Sequence, residues 1–214
     1  HGSMPNKKVL SLQGFDNYEV TTTTTKVYEA WMQQDFLNSK GSLRVGLYDL
    51  NSEFYVTDSS ALFIMSPMGV GSELAFSGYN GPSVFPTTGL AARLKLQPTN
   101  DFYVLSAIFD GVPGDPTNQH GTPIKLSSGD GALLVGEVGS GYGAETARGK
   151  LGVGAWHYTK RRNALVDVDV NEQPVQYDDQ GVYALADLPI YRFTKDSNRG
   201  FNFFIRYGVA SAKV

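Results

Sequence analysis

Residues 43–48 read Leu43-Arg44-Val45-Gly46-Leu47-Tyr48, and their alternation decides the fold class. Side chains of an extended strand alternate with a period of two, so the leucines and valine share one face and the arginine and tyrosine the other. Residues 90–96 repeat the pattern, with leucines and alanine on one face and Arg93 and Lys95 on the other. Both stretches therefore predict β-strands with one apolar and one polar face.

Eight stretches with strand character follow one another along the chain: Val27–Leu37, Ser42–Leu50, Gly89–Gln97, Phe102–Asp110, Ala132–Tyr142, Gly149–Thr159, Gly181–Thr194 and Gly200–Val209. The connections alternate strictly between short (38–41, 98–101, 143–148, 195–199) and long (51–88, 111–131, 160–180). In an up-and-down antiparallel meander this alternation places every long loop at one end. We therefore predict an all-β meander of about eight strands, and short turns opposite long loops are typical of outer-membrane barrels.

Composition excludes several classes of protein. The chain has 214 residues, enough for one large β domain, and a formal charge of −3 gives no electrostatic case for nucleic acid. It contains no cysteine, so it forms no disulfide and no thiolate metal site. No run of 18 apolar residues is present, which excludes a transmembrane helix but leaves transmembrane strands open.

The chain divides into three parts at this stage. Residues 1–4 (His-Gly-Ser-Met) have the form of an expression-tag remnant without a native signal peptide, residues 5–26 are poorly assigned, and residues 27–214 form the predicted barrel segment. Helix is expected to be sparse, with a short strand or a helical turn at 59–65.

Several longer motifs resemble one known family, the OprB family of carbohydrate-selective porins. The motifs are Tyr28-Glu29-Ala30-Trp31, Gly46-Leu47-Tyr48-Asp49-Leu50-Asn51-Ser52-Glu53-Phe54, Asn80-Gly81-Pro82-Ser83-Val84-Phe85-Pro86-Thr87-Thr88, Ile108-Phe109-Asp110-Gly111-Val112-Pro113-Gly114-Asp115-Pro116 and Gly129-Asp130-Gly131-Ala132-Leu133-Leu134.

The resemblance implies a Gram-negative outer-membrane barrel of about sixteen strands that contacts lipid and admits mono- or disaccharides by passive diffusion, without cofactor or enzymatic chemistry. A homo-oligomer is compatible with it. This chain is about half as long as the family's proteins. Its strands therefore either line half of a large barrel or close as a small barrel with an interior filled by side chains.

The pore-lining candidates are charged and aromatic residues on the polar faces, since sugars need hydroxyl-binding groups and flat rings. They are Glu29, Trp31, Arg44, Tyr48, Arg93, Lys95 and Arg206. For Trp31 and Trp156 an aromatic girdle at the bilayer interface is an alternative. Asp49, Asn51 and Glu53 begin the longest loop, where they either narrow the pore or cap a turn.

Other functions are weaker alternatives. A soluble β-sandwich that binds a ligand or partner through its long loops has the same alternation. Asp110, Asp115, Asn118 and Asp130 form an acidic loop without calcium-loop spacing. Asp167 and Asp169 could act as a glycosidase pair, although such pairs are common on wet sheet faces. His120 and His157 give no triad, and no metal site is predicted.

Overall fold

The computed structural model of the protein describes residues 8, 10, 12–14, 22–143, 148–194 and 199–214. The predicted tag at 1–4 and most of the two short turns at 143–148 and 195–199 lie outside these ranges. The strands are β1 (Ala30–Phe36), β2 (Gly41–Tyr48), β3 (Gly89–Leu96), β4 (Phe102–Asp110), β5 (Ala132–Tyr142), β6 (Gly149–Tyr158), β7 (Arg162–Val168), β8 (Pro174–Tyr177), β9 (Gln180–Arg192) and β10 (Gly200–Ala210).

One antiparallel sheet contains eight of these strands in the order β1-β2-β3-β4-β5-β6-β9-β10. The predicted all-β meander of about eight strands is therefore confirmed. Within the described ranges β1 and β10 each pair on one side only, so these eight strands form an open sheet and not a small closed barrel.

The register places most charged wall residues, including Arg44, Arg93, Lys95, Glu137, Lys150, Asp187 and Arg206, on one face, which we call the inner face. Asp110, at the end of β4, belongs to the other set of alternate residues. Arg44 lies opposite Arg93, Leu105 opposite Glu137, and Leu185 opposite Arg206. Because side chains alternate with a period of two, apart from one register shift between Phe201 and Asn202, the alternate residues form the other, outer face. This assignment also orients β4 and β5, whose faces are both largely apolar in sequence.

The outer face is apolar and uncovered. Its exposed side chains include Leu43, Val45, Leu94, Ile108, Leu134, Val138, Leu151, Val153, Val182, Phe203, Ile205, Tyr207 and Val209. A soluble sandwich would need a second sheet packed over this stripe. In the part of the chain that the structure describes, the second sheet is only the β7–β8 hairpin, and no layer covers the outer face.

Residues 49–88, which we call the long loop, lie across the inner face. The loop contains 3₁₀ turns at Leu50–Ser52 and Ser60–Leu62, and two short helices, α1 (Ser66–Gly69) and α2 (Ser72–Ala75). The predicted helical turn near 59–65 is thus present. None of the helices in the described ranges has the length and apolar character needed to cross a bilayer.

The core lies between the long loop and the wall. Leu50, Phe54, Tyr55 and Leu74 of the loop pack against wall side chains that include Tyr48, Phe109, Leu133, Trp156, Tyr183 and Leu185. Burying such side chains contributes about 1.5–3 kcal/mol each. Hydrophobic packing therefore holds the loop on the wall. The charged residues determine the position of the loop along the wall.

The β7–β8 hairpin lies within the third long connection, and the periodicity of the sequence did not reveal it. Its strands pair through Arg162–Tyr177 and Asn163–Gln176. Asp169 accepts hydrogen bonds from the backbone of Asn171 (2.8 Å) and Gln173 (2.9 Å) and so stabilises the turn. These hydrogen bonds lower the pKa of Asp169 below its usual range.

A charged substitution on the exposed outer face tests whether this face contacts lipid or water. Val153 lies at the middle of β6, between Val138 and Ala184, and 54% of it is exposed. We expect Val153→Lys to destabilise the lipid-embedded protein by about 2–4 kcal/mol, because a charge near the bilayer midplane loses its hydration.

The matched control is Val170→Lys, since Val170 lies in a loop and is 98% exposed. Denaturant unfolding from lipid vesicles measures both variants, and the control should change stability by no more than about 0.5 kcal/mol. Equal effects of the two variants would show that the outer face does not contact hydrocarbon.

Candidate functional site: the inner face and the long loop

Glu137 is the polar centre of the inner face. It is 1% exposed, yet each of its oxygens has partners. Oε1 accepts a hydrogen bond from the Tyr103 hydroxyl (2.6 Å) and lies 3.4 Å from Lys150 Nζ. Oε2 accepts from the Tyr183 hydroxyl (2.7 Å) and from the backbone N–H of Tyr55 (2.8 Å). A buried carboxylate needs such partners, and one of them belongs to the long loop.

Two glycines allow the tyrosine hydroxyls to reach this carboxylate. Tyr103 lies opposite Gly139, and Tyr183 opposite Gly154. Each ring lies over its glycine so closely that an added Cβ would overlap it. The rings therefore cross the neighbouring strands and bring both hydroxyls to Glu137.

Two further buried carboxylates on this side of the sheet accept hydrogen bonds from the loop. Asp187 of β9 accepts from the backbone N–H (2.8 Å) and hydroxyl (2.6 Å) of Ser59. Asp179 accepts from the backbone N–H of Gly78 (2.6 Å) and from Arg162 (3.1 Å). The long loop is therefore fixed at residues 55, 59 and 78 by three separate acidic groups.

Arg206 binds the loop from the opposite edge of the sheet. It donates hydrogen bonds to the carbonyl oxygens of Gly69 (2.6 Å) and Pro67 (2.7 Å), and its guanidinium lies 5.0 Å from the centre of the Tyr55 ring. Arg206 was predicted to line the pore, and in this chain its guanidinium binds the backbone of the long loop.

Glu53 joins the loop to two arginines of the wall. Its carboxylate lies 3.6 Å from Arg44 Nη1 and 2.7 Å from Arg93 Nε, and the Tyr48 hydroxyl donates to it. The Arg93 Nε–H points away from the ideal direction, so this short contact is an ion pair without an aligned hydrogen bond. Arg93 is 1% exposed and also donates to Ser42 (2.6 Å).

Asp49 and Asn51 stabilise the start of the loop. Asp49 accepts a hydrogen bond from the backbone N–H of Asn51 (2.7 Å) and one from the Tyr28 hydroxyl. Glu29 accepts from the backbone N–H of Asp49 (2.9 Å). Burial raises the pKa of Asp49. Asp49 therefore caps the turn at Leu50–Ser52, as one of the two alternatives predicted. A role of these residues in narrowing the pore stays a prediction.

Arg44, Trp31 and Lys95 reach the less covered part of the inner face. The Arg44 guanidinium lies 4.0 Å from the centre of the Trp31 ring and donates to Gln33 Oε1 (2.9 Å). Trp31 is 42% exposed, whereas Trp156 is 2% exposed among the core side chains. Both tryptophans lie on the inner face, so neither belongs to a lipid-facing girdle.

The remaining candidates serve local structure. Asp115 caps its turn through Thr117 (2.9 Å), Asp130 accepts from Ser127 (3.0 Å), and Asp110 accepts from Val112 (3.2 Å). Among the described residues no group of His, Cys, Asp and Glu side chains could hold a metal ion. Asp167 bonds Tyr177 (2.9 Å), so it and Asp169 have separate structural partners.

Sequence inspection missed Glu137, Asp187 and Lys150. One signal was available for Glu137, which is the only charge in the otherwise apolar and glycine-rich stretch Ala132–Tyr142. A lone carboxylate in such a strand must find buried partners. Its hydrogen-bond partners lie 34 to 82 positions away, and no local pattern identifies them.

Removing the Glu137 carboxylate should release the loop. Glu137→Ala leaves two tyrosine hydroxyls, Lys150 and a backbone N–H without their acceptor, and we expect a loss of about 3–5 kcal/mol. Glu137→Gln keeps the shape and should lose less. Denaturant unfolding and proteolytic cleavage within 49–88 measure the two effects.

The control is Asp178→Ala, which removes an exposed carboxylate paired with Arg161 (2.9 Å). Such surface pairs contribute about 0–1 kcal/mol. If Glu137→Ala were no more damaging than this control, Glu137 would not be fixing the loop.

Comparisons with known proteins identify the family. The model of the family described as "Carbohydrate-selective porin, OprB family" matches residues 1–214. A search of curated proteins found no match. The high-pH structure of OprB from Pseudomonas putida is similar in fold, with a TM-score of 0.67 and 20% sequence identity.

That alignment covers 86% of this chain and 45% of the Pseudomonas putida chain. The eight-stranded meander thus matches part of the OprB β-barrel, and the chain spans less than half of that protein. The family comprises porins and not enzymes. The match over the whole sequence and the shared fold show that this chain belongs to the OprB family of carbohydrate-selective porins.

Proposed function

We propose that this chain forms part of the wall of an outer-membrane sugar channel together with the loop that narrows it. The observation that carries the proposal is the separation of chemistry between the faces: an uncovered apolar outer face and a charged inner face crossed by the long loop. Hydrocarbon outside and water inside is the environment that suits this arrangement.

A polar strip beside the loop provides the groups that sugar passage needs. Arg44 and Glu53 have side chains 15% and 19% exposed, and Gln33 and Trp31 are exposed next to them. Hydrogen-bond donors, acceptors and an aromatic ring thus adjoin one another at the surface. Sugars bind weakly to such lining groups and leave again, as permeation requires.

Six of the seven predicted pore-lining residues divide into three roles under this proposal. Arg44 and Trp31 contact the sugar, with Glu53 beside them. Arg93, Arg206 and Tyr48 lie beneath the loop and fix its height above the wall. Glu29 orients Asp49 at the loop entrance. Lipid contact falls to the outer face.

Completion of the channel needs more strands. The edges of β1 and β10 carry unpaired backbone groups within the described ranges, and such edges bind further strands. We infer that these strands come from the remainder of a longer chain, because the alignment covers 45% of the Pseudomonas putida protein. A homo-oligomer stays a prediction.

Arg44→Ala tests the polar strip. The substitution removes the guanidinium that lies over Trp31 and between Gln33 and Glu53, so we expect weaker glucose binding and slower entry by about tenfold, equivalent to about 1.4 kcal/mol. Saturation-transfer NMR on the full-length protein that contains this segment measures binding, and swelling of liposomes reconstituted with that protein in isosmotic glucose measures entry.

Arg161→Ala is the matched control, because Arg161 is an exposed arginine at the long-loop end and pairs only with Asp178 among the described residues. It should leave both measurements unchanged. Wild-type protein that neither binds glucose nor swells liposomes would contradict the proposed function.

A further inference from the structure

We propose a second sugar subsite at the short-turn end of the inner face, between Asp58 of the long loop and Lys95 of β3. The inference rests on the proposed function and adds a pair of residues to it. A cavity of about 190 Å³ lies here, lined by Asp58, Lys95, Gln97, Tyr103, Lys150 and Asp187 among others. The cavity is large enough to hold several water molecules.

Most charges around this cavity already have protein partners. Lys150 donates to the carbonyl oxygen of Val56 (2.8 Å) and lies near Glu137. Asp187 accepts two hydrogen bonds from Ser59. Arg148 pairs with Asp101 at 3.0 Å. These groups shape the cavity walls, and their existing partners compete with a ligand for them.

Asp58 and Lys95 differ from these neighbours. Neither side chain has a hydrogen-bond or ion-pair partner among the residues that the structure describes, although both line the same small cavity. The two side chains also do not form an ion pair with each other. A carboxylate and an ammonium thus border one space without neutralising each other directly.

The backbone holds both groups in place. Asp58 lies between Val56, whose carbonyl oxygen binds Lys150, and Ser59, which is fixed to Asp187. Lys95 lies on a central strand between Ser42 and Leu105. Neither group needs to reorganise its backbone when it binds a ligand, which lowers the cost of binding.

The chemistry of this pair suits a vicinal diol of an uncharged sugar. One hydroxyl donates to the Asp58 carboxylate while its neighbour accepts from the Lys95 ammonium. Hydrogen bonds with an ionised partner are about twice as strong as neutral ones. Because the pair has no net charge, it favours a neutral polyol over a free anion or cation.

The pair lies away from the Arg44 strip, at the end with the short turns. In outer-membrane barrels these turns face the periplasm. A sugar that leaves the Arg44 strip therefore meets Asp58 and Lys95 next. Two weak binding sites, one after the other along the pore, allow a sugar to move through without being held tightly at either site.

Glucose titrations of the full-length protein that contains this segment, in detergent and followed by saturation-transfer NMR, test the pair. We expect Lys95→Met and Asp58→Asn each to weaken one component of glucose binding by about fivefold. The double variant should lose little more than either single variant, because both residues bind one diol. Lys125→Met and Asp178→Asn at the long-loop end are the matched controls and should bind as wild type.

Each other outcome overturns a defined statement. Loss of binding in Arg44→Ala with unchanged binding in both Lys95→Met and Asp58→Asn overturns the second subsite alone. Displacement of glucose by inorganic phosphate, abolished by Lys95→Met but not changed by Asp58→Asn, would make Lys95 an anion site and overturn the diol. Absence of glucose binding in wild type overturns the proposed function itself. Circular dichroism confirms that each variant is folded.

Discussion

A charge buried in the face of a sheet must be paired, and in this protein the partners come from the long loop. Glu137, Asp187 and Asp179 accept loop N–H groups, and Arg206 donates to loop carbonyls. An unpaired buried carboxylate would cost several kcal/mol, so the wall and the loop are each stable only with the other in position. Hydrophobic packing supplies the attraction, and these polar contacts determine where the loop rests.

The two faces of the sheet follow from the same constraint. Charged groups are confined to the face where the loop and water satisfy them, and the opposite face carries leucine, isoleucine, valine and aromatic side chains. Alternation along the strands thus separates a mainly apolar face from the charged face. Glycines opposite Tyr103 and Tyr183 belong to this design, because the rings need room to reach across the inner face.

Much of the sheet was predictable from the sequence, and the site was predictable only in part. The bounds predicted for the strand 132–142 agree with those of β5, because glycine-rich turns flank a continuous apolar stretch. The placement of arginines and leucines on different faces of the same strand followed from the period of two. The path of residues 49–88 could not be predicted, since an irregular segment has no period, and the partners of Glu137 are distant in sequence. For Arg93 and Arg206, alternation identified the face but not the loop groups that they bind.

The long loop has a mechanical consequence for the wall. It begins beside β2, crosses to Glu137 on β5 and Asp187 on β9, and reaches β10, where the Glu73 carboxylate lies against Gly208. It therefore works as a cross-brace between the two sides of an open sheet. An open sheet of eight strands without such a connection is free to flatten or twist. The loop contacts restrain the sheet and so keep the distance between its edge strands, β1 and β10, constant. The loop that we propose narrows the passage thus also sets the distance between the two edge strands to which the remaining strands would pair.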